Sequence, residues 1–577
     1  MSARGWLEHF PLLADLRRSS SNELAQDGIA GTITAILLIP QALAYALLAG
    51  LPPEVGLYAS VLPVIVYALL GSSRVLAVGP VAVAAVMVSA ALIPYAGDDP
   101  ARYLTGALIL SALSGAILLA MATLKLGWLT SFISHPVLSG FTTGAALFIV
   151  GTQLSALSGI PVPRDAGSEG IVAALYAGRD QLDLETLAFG LGALVLLFAA
   201  RAPLMNLLTR LGVKRETAGI VGRTAPLLLV IAATVLSAAF DAHGRWGVAV
   251  VGQIPHGLPG LSLHFLAEDG WLRLLAPAAL IAVISYVESI SVAKALAFRR
   301  QEKVDPDREL LALGSTNVVA AIAGAMPVAG GFARSMVNYD AGARTQLAAV
   351  ITALWVAMAA FLFTGLLAPL PKAVLAAIIV VAVWQLVDFK SLGHSWRYDR
   401  GDGAAQAATI VGVLVEGVEG GLMIGAGLSL LLFLYRTSRP HIAVVGQLGE
   451  TEHFRNVLRH EVRTWPELLL VRIDETLYFA NAPRVESELQ SYIVEARKPK
   501  DVVLVMSGVA YIDTSGLDVL EALETVLRQN GSRLHLAEVK GPVMDRLAGT
   551  DLLAALGSGC VHLSAHDAVL AIRGSAI

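Results

Sequence analysis

The first 440 residues carry one apolar run after another without Asp, Glu, Lys or Arg, and this feature constrains the fold most. The longest such runs cover residues 28–51, 55–73, 75–97, 103–124, 126–163, 310–333 and 345–371. A membrane-spanning helix needs ~20 mostly apolar residues. Charged residues make up only 15% of the chain, whereas soluble domains carry ~25%. The sequence therefore predicts a polytopic α-helical membrane protein and excludes a disordered, fibrous or disulfide-rich secreted chain.

After residue 440 the long apolar runs stop, and short apolar segments alternate with charged amphipathic stretches. Three segments read as strands, Leu468–Ile473, Val502–Met506 and Arg533–Ala537, and two stretches read as helices, Ala482–Lys498 and Asp518–Gln529. Such an alternation is typical of a small soluble α/β domain. The single cysteine, Cys560, cannot form an internal disulfide. A net charge of −4 does not suggest a nucleic-acid partner.

The loop charges predict the orientation in the membrane. If the N-terminus is cytoplasmic and the spans alternate, most loop arginines and lysines fall on the cytoplasmic side, as the positive-inside rule requires. The polar N-terminus precedes an apolar run too long for a signal peptide. We expect an even number of spans, best counted as 14, in the plasma (inner) membrane with both termini cytoplasmic. The expected domains are a cytoplasmic segment 1–26, a transmembrane domain 27–436 with repeats of about 27–240 and 272–436, and a cytoplasmic domain 440–577.

Two short segments, Val78–Val81 and Pro327–Ser335, interrupt apolar runs with Pro and Gly. Each favours an extended stretch followed by a new helix start, although either alone could be an ordinary proline kink. They fall in the third of seven spans in both halves, and matched interruptions are the best sequence indication of a transporter site. Helix N-termini that face each other present free N–H groups and positive dipole ends, which suit an anion.

Two ionisable residues are candidates for a role at this site, one inside the second interruption and one within an apolar span. Arg334 could place a fixed positive charge beside an anion, or it could extend toward the cytoplasmic surface. Glu288 lies within an apolar span, where a carboxylate is costly and by default marks a proton or cation pathway. The alternative for Glu288 is a structural hydrogen bond between helices.

Several separated motifs resemble one known family. Pro53–Ser60, continuing to Gly71–Arg74, is similar to the signature of the SulP (sulfate permease) family, also called solute carrier family 26, except that Val55 replaces the usual aromatic residue. Ile39–Ala46 resembles the family's first span, and Val78–Pro80 and Gly330–Ser335 resemble its third and tenth spans. The resemblance implies 14 spans in two inverted seven-helix repeats, with a core domain that moves against a gate domain.

The resemblance also implies an anion site between the third and tenth half-helices. Carried over by position, the implied substrate-binding residues are Gln41, Tyr45, Gly79, Pro80, Val81, Gly331, Phe332, Ala333 and Arg334. Glu288 falls where relatives carry an acidic residue linked to proton or sodium coupling. Ala333 departs from the serine of many relatives, which shifts the expected contact to backbone donors. We also expect that Gly330 and Gly331 leave space that the anion needs.

The segment Val502–Met506 followed by Tyr511–Leu517 resembles a STAS domain. Here Asp513, Thr514 or Ser515 is expected to cap a helix. Ser515 matches a serine that is phosphorylated in regulatory relatives, although we favour a plain capping turn for this chain. The domain is expected to pack against the transporter, to help form a homodimer or to bind a regulatory protein.

The predicted function is secondary active transport of a small anion, most directly sulfate, coupled to protons or sodium by alternating access in a lipid membrane. The alternatives are a bicarbonate or dicarboxylate transporter, or an uncoupled exchanger, channel or voltage-responsive motor on the same fold. The sequence has no nucleotide-binding loop and no metal-ligand cluster. We therefore expect neither an enzyme nor a cofactor.

Overall fold

The computed structural model of the protein describes residues 10–97, 99–128, 134–163, 166–200, 209–211, 215–255, 257–258, 260–362, 364–497 and 499–574. Internal contacts divide the chain into two compact units, Met1–Ser429 and Leu430–Ile577. The first unit consists almost entirely of helices, and the second contains a six-stranded sheet.

The first repeat follows a short helix, α1 (Pro11–Arg18). Side chains that cap the helix N-termini mark where two of its helices begin. Ser20 and Glu23 form a capping box at the start of α2, and Asp99 caps α6, because their side chains accept hydrogen bonds from the free N–H groups of the first turn. The elements are α2 (Ser21–Leu48), α3 (Pro53–Tyr58), α4 (Leu62–Leu70), β1 (Val78–Gly79), α5 (Ala82–Ala96), α6 (Pro100–Thr123), α7 (His135–Ser158), α8 (Ser168–Ala177), α9 (Leu184–Ala200), α10 (Arg215–Phe240) and α11 (Ala242–Trp246).

In the second repeat, as in the first, a two-residue strand leads into the helix of the third span. This repeat contains α12 (Trp271–Arg300), α13 (Pro306–Ile322), β2 (Ala329–Gly330), α14 (Phe332–Asp340), α15 (Leu347–Leu362), α16 (Lys372–Val383), α17 (Phe389–Tyr398) and α18 (Arg400–Thr437). Gly417 interrupts α18 with a non-helical φ of 83°. The two halves then pack closely, since a Cβ atom on Gly421 would lie 2.3 Å from the backbone nitrogen of Val413. Residues 400–416 and 418–437 are therefore two spans.

The described residues form fourteen spans in two inverted seven-helix repeats, as the sequence predicts. Seven helical segments of the described ranges are long and apolar enough to cross a membrane, with α3 and α4 counted as one segment and α16 and α17 as another. Helices of one repeat pack on those of the other: α6 on α12 and α13, α2 on α15, and α16 on α7 and α9. One continuous buried apolar core runs through both repeats.

The second unit is an α/β domain built on a mixed sheet. Its strands are β3 (Ile442–Gln447), β4 (Phe454–Asn456), β5 (Leu468–Ile473), β6 (Asp501–Val505), β7 (Arg533–Ala537) and β8 (Val561–His562). They lie in the order β4-β3-β5-β6-β7-β8, with β5 to β8 parallel and β3 antiparallel to both its neighbours. The helices are α19 (Ala482–Glu495), α20 (Thr514–Gln529), α21 (Gly541–Leu547), α22 (Asp551–Leu556) and α23 (Ala565–Gly574). Apolar clusters cover both faces of the sheet.

The predicted elements of this domain are confirmed, with shifts at their ends. The strands Leu468–Ile473 and Arg533–Ala537 have the predicted bounds, and the strand predicted at Val502–Met506 is shifted by one residue to Asp501–Val505. The first helix ends at Glu495, and Lys498 of the predicted stretch lies outside the described residues. The second helix begins at Thr514 instead of Asp518 because Asp513 caps it.

Candidate functional site

Two buried extended segments of the first unit pair with each other, and each leads into a short helix. β1 and β2 pair antiparallel, with Val78 opposite Gly330 and Gly79 opposite Ala329. α5 then begins at Ala82 and α14 at Phe332. The sequence places the first of these starts near Gly79-Pro80, slightly too early, because Pro80 and Val81 still continue the extended stretch. Both helices thus start directly after one shared two-stranded antiparallel pair.

Buried polar side chains hold the extended segments in place. The Asn317 side chain accepts from Val328 N–H (2.9 Å) and donates to Val328 C=O (3.0 Å). Ser335 Oγ accepts from Ala77 N–H at 2.9 Å and so joins the two repeats. The sequence reasoning did not select Asn317 or give Ser335 a role of its own. The signal that could have found them is a polar residue within an apolar span, because such a group needs a partner inside the protein.

The N-termini of α5 and α14 lack side-chain caps. Their N-cap residues, Val81 and Gly331, make no side-chain hydrogen bond to the first helical turn. By contrast, side chains cap the starts of α2, α6 and α13. The first N–H groups of an α-helix have no partner within the helix. The two short helices therefore offer free donors and positive dipole ends to the space between them.

That space is a cavity of about 40 Å³, large enough for more than one water-sized group. The structure brings together nearly all the sequence-predicted site residues in its lining: Gln41, Tyr45, Pro80, Val81, Glu288, Gly331, Phe332, Ala333 and Arg334. Gly79 lies behind the lining, where a Cβ atom would stand 3.1 Å from Arg334 Nη1. The lining also includes residues that the sequence reasoning missed, namely Ala82, Val83, Ala382, Val383 and Leu386. Ala382 and Val383 lie at the end of α16, in an apolar run that carries no distinguishing signal.

Arg334 is the positive charge of this cavity and is only 3% exposed. Its Nη1 donates to the carbonyl oxygen of Pro80 at 2.8 Å, while its Nε and Nη2 are buried without a hydrogen-bond partner. Tyr45 and Glu288 lie close enough to interact with it electrostatically. A buried guanidinium with unpaired donors is costly unless a ligand or water accepts from it.

The two neighbouring glycines have different surroundings. A Cβ atom on Gly331 would lie 3.1 Å from Arg334 Nη2 and 3.4 Å from Nε, the two unpaired nitrogens. A Cβ atom on Gly330 would instead meet the side chain of Leu76 at 2.7 Å. The expectation that Gly330 leaves space for the anion is therefore wrong, because this glycine makes room for a packed leucine.

In the second unit, Ser515 lies half-buried in the first turn of α20. The cap of this helix is Asp513, which accepts from Gly516 N–H at 2.9 Å and from Phe479 N–H at 2.8 Å. Asp513, and not Ser515, thus accepts the hydrogen bond from a free N–H group at the start of the helix. A regulatory role for Ser515 stays a prediction.

These features define an integral membrane protein of two inverted seven-helix repeats with a C-terminal STAS domain. The chain belongs to the sulfate permease family, whose model matches residues 24–409, and the STAS domain model matches residues 459–568. It is 33% identical to the chloroplastic sulfate transporter 4.1 of Arabidopsis thaliana, over 94% of this chain and 79% of that one. It is 32% identical to the low affinity sulfate transporter 3 of Stylosanthes hamata, over 98% of this chain and 90% of that one.

Solved structures share the fold. The structure of SLC26A9 matches with a TM-score of 0.91 at 21% identity, over 99% of this chain and 94% of that one. The transmembrane domain of the cyanobacterial bicarbonate transporter BicA matches with a TM-score of 0.61 at 22% identity, over 71% of this chain and 99% of that one.

Proposed function

We propose that the protein is a secondary active transporter of a small anion, with sulfate as the first candidate, and that it works by alternating access. The observation that carries this proposal is the cavity environment of Arg334. Its Nε and Nη2 are buried and unpaired, and two uncapped helix N-termini begin in the same lining. A tetrahedral oxyanion would accept charge-assisted hydrogen bonds from all three groups.

Glu288 supplies the proposed coupling to a proton or a sodium ion. Its carboxylate lines the same small cavity, so that an anion and an ionised Glu288 repel each other at short range. A proton or a cation at Glu288 removes this repulsion and raises the affinity for the anion. By linkage, the anion raises the affinity for the cation by the same factor. Such mutual dependence is the property that cotransport requires.

The proposed choice of sulfate is supported by relatives that are named sulfate transporters. Bicarbonate or a dicarboxylate is the next candidate, since the fold is shared with a bicarbonate transporter. A site made mostly of backbone donors and one guanidinium recognises charge and size, and several anions meet these requirements. An uncoupled exchanger or channel is the alternative if Glu288 has no partner ion.

We also propose that both termini lie in the cytoplasm and that the protein resides in the plasma (inner) membrane. The support is the accumulation of lysine and arginine in the loops of one side. A homodimer and a regulatory protein at the STAS domain are further proposals that rest on the resemblance alone.

The test is uptake of labelled anions into proteoliposomes that contain the purified protein. Sulfate, bicarbonate, succinate and chloride are offered separately, with no gradient, a proton gradient or a sodium gradient. Sulfate accumulation driven by one of the gradients supports the proposal in full. Saturable uptake of another anion changes only the substrate, and uptake that never exceeds equilibrium identifies an uncoupled carrier or channel. No uptake of any anion would contradict the proposal.

A further inference from the structure

Helix α12 reaches the site through two successive residues. Glu288 lines the cavity, whereas Ser289 points into the protein and has 0% of its surface exposed. Ser289 Oγ donates to the carbonyl oxygen of Ser285 at 2.5 Å and accepts from the N–H of Gly330 at 2.7 Å. The hydroxyl therefore connects α12 to the strand that leads into α14.

The Gly330 N–H bond lies at a sensitive place in the chain. Gly330 is the last residue of β2, and Gly331, the next residue, is the uncapped N-cap of α14. Gly331 N–H donates to the carbonyl oxygen of Ala77 at 3.2 Å. Two successive N–H groups are thus fixed from opposite sides, one by α12 and one by the first repeat. Because neither glycine has a side chain that restricts its backbone, these bonds determine how the following turn is oriented.

We propose that Ser289 is a positioning residue for the anion site. It fixes the Ala329–Gly330 peptide, and the orientation of this peptide directs the free N–H groups at the start of α14 toward the cavity. This inference rests on the proposed function for its effect on anions. It also places the residue proposed for coupling and the anchor of the anion site side by side on one helix, so that a displacement of α12 moves both.

The test compares three variants of the full-length protein. Ser289→Ala removes the acceptor of the Gly330 N–H, and Ser289→Thr keeps a hydroxyl. Ser291→Ala is the matched control, because Ser291 Oγ donates only to the carbonyl oxygen of Val287 in its own helix, at 2.6 Å. The measurements are KM and kcat of sulfate uptake, made on the monodisperse fraction of each variant.

For Ser289→Ala we expect KM to rise about tenfold, with kcat changed by less than about twofold, which corresponds to the loss of one buried hydrogen bond at the site. Ser289→Thr should restore most of the affinity, and Ser291→Ala should match the wild type. A Ser289→Ala protein with lower yield or a lower unfolding temperature but an unchanged KM would overturn the proposal, since Ser289 would then serve stability alone.

Amide hydrogen exchange of residues 330–333 gives a readout that does not depend on transport. We expect faster exchange there in Ser289→Ala than in the wild type and in Ser291→Ala, because the Gly330 N–H loses its acceptor. If the wild type takes up no anion, the proposed function fails, and the exchange data still decide whether Ser289 holds this segment. Equal exchange in all three proteins would overturn the positioning role.

Discussion

The imidazole rings of His535 and His562 stack in the C-terminal unit, with Nδ1 of His535 3.1 Å from Nε2 of His562. His535 is only 3% exposed, and its Nε2 lies 3.0 Å from Oδ1 of Asp501. Arg533 also donates to this oxygen, at 2.9 Å. Burial lowers the pKa of both histidines below the ordinary 6.5 and outweighs the opposing effect of the carboxylates, and the proximity of His535 lowers the pKa of His562 further.

These lowered pKa values predict that the edge of the sheet at β7 and β8 becomes less stable in acid. The unfolded segment binds protons near pH 6.5, while the folded one does so only at lower pH. The stabilisation is therefore present above about pH 6.5 and is lost as the pH falls toward the folded-state values. Hydrogen exchange of β8 amides, corrected for the intrinsic rate, should be faster at about pH 5.5 than at about pH 7.5.

The variant His562→Gln should reduce this pH dependence, because it removes one titrating ring and leaves His535 with a neutral neighbour. The control is His453→Gln, since His453 is exposed on the same domain. A β8 strand that exchanges equally at both pH values in the wild type would contradict the prediction.

Arg334→Ala should weaken anion binding by about 1.5–3 kcal/mol, the range for hydrogen bonds to a charged group, or roughly 10- to 150-fold in Kd. Binding should not vanish, because the helix N–H donors remain. The anion affinity of Arg334→Lys should lie between those of the wild type and Arg334→Ala, since a lysine keeps the charge but not the planar set of donors. Calorimetry or substrate-protected unfolding measures the affinity, and Arg273→Ala, at an exposed position of α12, is the control. Wild-type affinity in Arg334→Ala would place the anion elsewhere.

Gly331→Leu should abolish anion binding by filling the cavity next to the unpaired nitrogens of Arg334. The matched control is Gly192→Leu, because no atom lies within 4 Å of a Cβ atom at that helical position. Both proteins are compared by anion affinity and by unfolding temperature without anion. A Gly331→Leu protein that binds as the wild type does would show that the cavity is not the binding site.

Glu288→Gln should separate exchange from accumulation. Glutamine has nearly the shape of a protonated glutamate but cannot release a proton or attract a cation, so counterflow exchange of labelled anion should continue while gradient-driven accumulation stops. Collapsing the gradient across wild-type proteoliposomes with an ionophore gives the reference for lost accumulation. If the variant accumulates anion as well as the wild type does, Glu288 has a structural role.

The sequence predicted those structural features that a short stretch of residues indicates by itself. Uncharged runs, the matched Pro and Gly interruptions and the strand pattern after residue 440 were enough to predict the spans, the two extended stretches with their new helix starts, and the α/β domain. Contacts between distant residues are not indicated in this way. The hydrogen bond from the Gly330 N–H to Ser289 and the two hydrogen bonds between Asn317 and Val328 depend on how α12 and α13 approach β2. The packing of Leu76 against Gly330 was likewise visible only in three dimensions, which explains why the role of that glycine was predicted wrongly.

The positive φ of Gly417 determines the parity of the membrane crossings. No atom lies within 4 Å of a Cβ atom at this position, so what requires glycine is the backbone angle and not the space. An unbroken α18 of 38 residues would be about 57 Å long, almost twice the ~30 Å of a bilayer core. A β-branched residue could adopt this angle only with strain, and a chain that continued here as a straight helix would make thirteen crossings instead of fourteen. The chain beyond Thr437 would then emerge on the opposite face of the membrane, so a single backbone angle decides which compartment receives the last 140 residues.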